Sequence, residues 1–140
     1  MSVSIRNQIV GTVTAVTSGV AMATVEIRLV GGPEVTAAVT AVSIKDLVLA
    51  EGSQVRIMVK STEVALATGS VSGLSIRNRL PGTIIGIDVG GAMAVVKVAL
   101  DGGGEIIAAI TKAAVVDLGL VSGVAVTALI KSTEISIASL

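Results

Sequence analysis

The sequence predicts an all-β fold with short helices, arranged as two tandem five-stranded barrels of one design, each carrying one short helix. Three observations lead there: a gapless internal repeat, β-branched residues in alternation, and one helix-spaced segment per copy. The repeat is the plainest. Ser4-Ile5-Arg6-Asn7 returns as Ser75-Ile76-Arg77-Asn78, and Lys60-Ser61-Thr62-Glu63 returns as Lys131-Ser132-Thr133-Glu134. Gly11-Thr12, Ala21-Met22-Ala23 and Asp46-Leu47 recur at Gly82-Thr83, Ala92-Met93-Ala94 and Asp117-Leu118, always at an offset of 71. Roughly 28 of 66 aligned pairs are identical, which reads as two copies of one domain rather than two halves of one. The expected domains are residues 1–69 and 74–140. Residues 70–73 join them, small and polar enough to predict a flexible linker.

Each copy then reads in order. Gly11-Thr12-Val13-Thr14-Ala15-Val16 and Thr24-Val25-Glu26-Ile27-Arg28-Leu29 alternate as half-buried strands do. Val30-Gly31-Gly32-Pro33 is a turn, as is Asp101-Gly102-Gly103-Gly104. A third strand closes at Ala38-Val39-Thr40. Val42 to Leu47 has helical spacing, with Thr40 (and Thr111) placed to cap it. Gln54–Lys60 and Val64–Thr68 supply the last two strands. Five strands with a helix between the third and fourth describe a Greek-key barrel of the OB type. A plain β-sandwich, the alternative, has no use for the helix.

Composition narrows the function. The chain has 140 residues, ten Lys+Arg against ten Asp+Glu, and no His, Cys or aromatic residue. That excludes the usual zinc, haem and iron–sulfur ligation, a thiol nucleophile and a Ser-His-Asp triad. It also removes the stacking platform for single-stranded nucleic acid, and neutrality argues against a duplex-binding face. No acidic pair is spaced for acid–base work, and Gly102-Gly103-Gly104 lacks the Lys-Ser/Thr of a phosphate loop. An enzyme is not expected. Mean hydropathy is +0.95, yet the longest uncharged stretch, Asn7–Val25, alternates and is broken by Gly11 and Gly19, unlike a membrane span. The first residues lack a secretory pattern, so a cytoplasmic chain without a membrane or nucleic-acid partner is expected. Small domains bury their cores poorly, and so apolar a chain is expected to form an oligomer.

The scarce polar clusters are Ser-x-Arg-Asn, the threonine at each helix entry, and Lys-Ser-Thr. Taken singly, each reads first as a turn or loop, a cap or a solvated charge. Together they offer guanidinium, ammonium, hydroxyl and backbone N–H donors with few acceptors, and the helix start adds oriented N–H groups. Such a set suits a small oxyanion: phosphate, sulfate, molybdate or tungstate.

The ordered set resembles the molbindin family, whose unit is also called the Mop or TOBE domain. Its matching segments are Ser4-Ile5-Arg6-Asn7-Gln8, Gly11-Thr12-Val13, Gly19-Val20-Ala21-Met22-Ala23, Thr40-Ala41-Val42-Ser43 with Asp46-Leu47, and Val59-Lys60-Ser61-Thr62, with counterparts in the second copy. The resemblance implies OB-like domains that exchange strands with neighbours, a trimer with six domains in a ring, and molybdate or tungstate held at domain interfaces without covalent cofactor or direct metal ligation. Carried over, Ser4, Arg6, Thr40, Ser43, Lys60 and Ser61 would serve the first copy's site, and Ser75, Arg77, Thr111, Lys131 and Ser132 the second's. A second kind of site is implied near Gly19, Ala21 and Met22, and near Gly90, Ala92 and Met93. Ala114 replaces the hydroxyl of Ser43, Ile5 and Ile76 replace a small residue, and Met22 and Met93 stand where some members carry Asn.

The expected function is cytoplasmic oxyanion binding for intracellular molybdenum storage or homeostasis. Two cationic groups and about four neutral donors support roughly micromolar affinity after ordering costs. Because Ser4 and Lys60 lie at opposite ends of a copy, neighbouring copies are expected to complete each pocket. A regulatory module and a structural or engineered assembly with reduced or no anion binding are the alternatives.

Overall fold

The computed structural model describes residues 1–140. In the first half, β1 (Asn7–Ser18), β2 (Met22–Leu29) and β3 (Glu34–Thr40) lead into α1 (Ala41–Asp46). There follow β4 (Gln54–Val59), a 3₁₀ turn at Ser61–Glu63 and β5 (Ala65–Ala67). The second half repeats this as β6 (Asn78–Val89), β7 (Met93–Leu100), β8 (Glu105–Thr111), α2 (Lys112–Leu118), β9 (Ala125–Ile130), a 3₁₀ turn at Ser132–Glu134 and β10 (Ser136–Ser139).

Side-chain alternation decides which face turns inward. In β2, Ala23, Val25, Ile27 and Leu29 are buried and their neighbours exposed; β7 buries Ala94, Val96, Val98 and Leu100 in the same alternation, with Ala99 half-buried. The long strands β1 and β6 each carry a bulge, at Thr14 and Ile85, where pairing with the next strand shifts by one residue. Such bulges bend a strand and help its sheet to curl. Gly11 and Gly82 lie where the neighbouring strand crosses closely. A Cβ would meet Ile27 Cγ2 at 2.7 Å in the first case and the Ala99 carbonyl oxygen at 2.5 Å in the second.

Two curled five-stranded antiparallel sheets result, matching tandem OB-like domains, but their boundaries cross those of the repeat. One sheet runs β10-β4-β1-β2-β3 and the other β5-β9-β6-β7-β8. The fifth strands are exchanged within the chain: Ser136–Ser139 pairs with Val55–Met58, and Ala65–Ala67 pairs with Thr127–Leu129. Each 3₁₀ turn carries the chain across, the first packing on β8 and the second on β3. Val64 and Ile135, just after these turns, are 1% and 2% exposed. Exchange thereby merges the apolar interiors into one connected cluster of 25 buried residues, easing the poor burial of a 70-residue unit.

Two asparagines clamp the halves. Asn7 donates to the Ile107 carbonyl and accepts from the Ile107 N–H, both at 2.8 Å. Asn78 does the same on Thr36, accepting its N–H at 2.8 Å and donating to its carbonyl at 2.9 Å. Ile107 lies in β8 and Thr36 in β3, the edge strands of the opposite sheets. Each amide thus satisfies edge groups that sheet pairing leaves free. The Gly31 and Gly102 turns also touch, close enough that a Cβ at Gly31 would collide with the Gly102 carbonyl.

At the joint, whose composition predicts a flexible linker, one residue of 70–73 is held by a side-chain hydrogen bond, Val71. Arg79, at the position of Gln8, donates to the carbonyls of Ile76, Val71 and Leu74 at 3.0, 3.2 and 2.8 Å. Three charge-assisted bonds tie residues 71–76 to the start of β6. The helices also differ in how they end. Gly119 closes α2 in the left-handed region at φ 63°, whereas its counterpart Val48 adopts φ 52° with a β-branched side chain. No helix is long and apolar enough to cross a membrane.

Candidate functional site

Each half presents a hydroxyl at the junction of its third strand and helix. Thr40 caps α1 by accepting the Ser43 N–H at 3.3 Å, and its Oγ1 lies 2.7 Å from Ser43 Oγ. Thr111 accepts the Ala114 N–H at 3.1 Å and has no second hydroxyl beside it. The preceding β-turn braces this corner: the N–H of Ala41 donates to Ala21 O at 2.9 Å, and that of Lys112 to Ala92 O at 2.8 Å. Gly19 and Gly90 close these turns by donating to the carbonyls of Met22 and Met93, both at 2.8 Å. In register, Met22 stands opposite Thr40 and Met93 opposite Thr111. The segments expected to form a second site therefore adjoin the threonines.

Strand exchange completes a cavity at each corner. One, of about 310 Å³, joins Thr40, Ser43 and Leu49 of the first repeat to Thr133, Ile135 and Ser136 of the second. The other, of about 390 Å³, joins Thr111, Ala114 and Lys131 to Thr62, Glu63 and Val64. Both are clefts open to solvent with an apolar floor and a hydroxyl rim. Hydroxyls and an ammonium can donate to an oxyanion. No cluster of three or more His, Cys, Asp or Glu is present.

The structure divides the expected site residues differently from a grouping by repeat. Thr40 and Ser43 meet the second repeat's tail, and Thr111 meets the first repeat's tail together with Lys131. Ser4, Arg6, Lys60, Ser61, Ser75, Arg77 and Ser132 line neither cavity. Arg6 folds back, donating to the carbonyls of Ser4 at 3.1 Å and Val3 at 3.3 Å. Ser4, Ser75, Arg77, Lys60 and Lys131 are exposed, while Ser132 is half-buried. Ser61 Oγ is buried without a hydrogen-bond partner. The single ion pair is Arg28–Glu34 at 3.8 Å, well exposed and worth at most about 1 kcal/mol.

Four polar lining residues are not among the expected site residues: Thr62, Thr133, Glu63 and Ser136. The repeated Lys-Ser-Thr-Glu turn carried a signal for the first three. Ser136 left none, because Ala65 occupies its place in the first copy.

The TOBE domain matches residues 3–66 and again 74–137. The chain is 37% identical over 138 residues to the molybdenum transport protein ModE of Azotobacter vinelandii, covering 99% of the chain and 51% of ModE. It is 41% identical over 117 residues to the molybdenum-pterin-binding protein MopB of Rhodobacter capsulatus, covering 83% of the chain and 43% of MopB. It thus spans about half the length of these curated relatives. Among solved structures, ModG, a cytoplasmic molybdate-binding protein with molybdate bound, superposes with a TM-score of 0.97 at 41% identity, over 100% of both chains. With both repeats matched and the fold shared from end to end, the chain belongs to the TOBE-domain family, of which it carries two tandem copies.

Proposed function

We propose that the protein binds molybdate or tungstate in the cytoplasm and serves intracellular molybdenum storage or homeostasis. Its repeat units, residues 1–69 and 74–140 joined at 70–73, act together because each cavity draws on both. The observation that carries this reading is the full-length likeness to molybdate-bound ModG, supported by two hydroxyl-rimmed cavities at the strand-exchange corners. The anion would be held intact, by hydrogen bonds alone. A dianion leaving water needs several donors at once. Thr40, Thr111 and their cavity neighbours supply hydroxyls, and the Lys131 ammonium lines the same cavity as the Glu63 carboxylate, which offsets its charge. Ser4, Arg6, Lys60, Ser61, Ser75, Arg77 and Ser132 lie outside these cavities in one chain, so we assign them to further copies that complete the same cavities. A homo-oligomer, a trimer by resemblance, is the assembly this requires. Exposed Val20, Met22, Val42, Val48, Met93 and Val116 offer apolar surface for it.

Isothermal titration with molybdate, tungstate, sulfate and phosphate tests the reading, alongside native mass. Molybdate and tungstate should bind about equally, and a Thr40→Val, Thr111→Val variant should lose at least about tenfold in affinity with its assembly intact. Unchanged binding in that variant would contradict the assignment.

A second reading, a sensory module of a longer protein, has the half-length alignment with ModE in its favour. It predicts that anion binding alters contacts with additional domains.

A further inference from the structure

The 71-residue repeat isolates the chemical difference between the two cavities. Thr40 corresponds to Thr111 and Thr133 to Thr62, so these hydroxyls are common to both. Two are not shared: Ser43 corresponds to Ala114, and Ser136 to Ala65. Lys131 and Glu63 both line the second cavity, and their opposite charges leave little net field for an anion.

We infer that the two cavities hold the anion with unequal strength, and that the one lined by Thr40, Ser43, Thr133 and Ser136 fills first. This rests on the oxyanion-binding reading above. Proton counting separates the two serines. Thr40 and Ser43 share one hydroxyl proton across their 2.7 Å contact, leaving one proton free to donate. Thr111 alone also has one free proton. Ser43 therefore adds no donor; it orients and polarises the one already present. Ser136 adds a donor that the second cavity lacks. One neutral hydrogen bond corresponds to roughly a two- to twelvefold change in affinity, so Ser136 should matter more than Ser43. The functional consequence is a carrier that takes up anion over two concentration ranges rather than one.

Equilibrium dialysis of the full-length protein against molybdate provides the test. Wild type should fill in two steps. An Ala65→Ser, Ala114→Ser variant should tighten the weaker step by roughly two- to twelvefold and merge the two. Ser43→Ala with Ser136→Ala should merge them at the weaker value, with Ser136→Ala alone giving most of the loss. Either pair suffices if the other fails to assemble, as checked by native mass. A single step that neither pair shifts would overturn the inference and leave the oxyanion reading standing. No molybdate retained by wild type at any concentration would overturn both.

Discussion

Removing the Asn7 clamp tests how the halves are joined. Asn7 is 5% exposed, and its amide makes two 2.8 Å hydrogen bonds to the backbone of Ile107. Asn7→Ala deletes both bonds, about 1 kcal/mol each, and leaves an edge N–H and carbonyl without partners at about 1–3 kcal/mol each. Ile107 is only half-buried, so water recovers part of that loss, and about 2–4 kcal/mol is expected. That is a large share of a total of about 5–15 kcal/mol. Denaturant or thermal unfolding at fixed protein concentration reads it, because assembly makes stability concentration-dependent.

Asn7→Asp sharpens the argument. An ionised carboxylate can accept from the Ile107 N–H but has no proton for the Ile107 carbonyl. The protonated acid restores both bonds, so the folded state raises this carboxyl above its unfolded value of about 3.9. Between the two values the native state holds more protons than the unfolded one. The variant's stability relative to wild type is therefore greatest below the unfolded value and falls as pH rises through the folded one. Loss of less than about 0.5 kcal/mol in Asn7→Ala, or an Asn7→Asp variant that parallels wild type from about pH 4 to 7, would refute the reasoning.

Three further outcomes follow from local geometry. Val48→Gly should stabilise the protein by about 1 kcal/mol, since left-handed backbone costs a branched residue about 1–2 and glycine's extra unfolded entropy returns part of it; chemical denaturation checks this, with Gly119→Val moving the other way. Gly31→Ala should cost more than about 2 kcal/mol, because its Cβ meets the Gly102 carbonyl, whereas Gly32→Ala, with nothing within 4 Å, should cost only about 1–2 kcal/mol of backbone strain; thermal melts of the two separate contact from conformation. Arg79→Ala should free residues 71–76, raising the rate of limited proteolysis there while leaving the sheets intact by circular dichroism.

The sequence made the repeat, the strand order and the capping threonines legible because each is local. Alternation in Thr24–Leu29 marks a one-sided strand, and Thr40 three residues before Ser43 marks a cap wherever the chain folds. What it did not reveal is which copy receives each fifth strand. Residues Val64–Thr68 and Ile135–Ser139 both place apolar side chains at alternate positions, so either sheet could accept either one; the choice depends on the path of the turns at Ser61–Glu63 and Ser132–Glu134. Grouping Thr40 with Lys60 and Ser61 by repeat, as the resemblance implies, therefore leaves out Thr133 and Ser136, which line the cavity beside Thr40. The asparagine of Ser-x-Arg-Asn was read within a binding motif, whereas its amide is spent on the opposite sheet's edge. Arg79 shows the same limit: its bond to the Val71 carbonyl spans eight residues, and no local pattern announces it.

The central claim is that a tetrahedral dianion sits where one repeat's helix entry meets the other repeat's exchanged tail. Anomalous scattering from molybdenum in crystals grown with molybdate locates the anion without assuming any side-chain role. The account predicts a peak within hydrogen-bonding reach of Thr40 and the Thr133–Ser136 segment, and a weaker one beside Thr111 and Thr62. Peaks found only at places remote from both exchanged tails would contradict it.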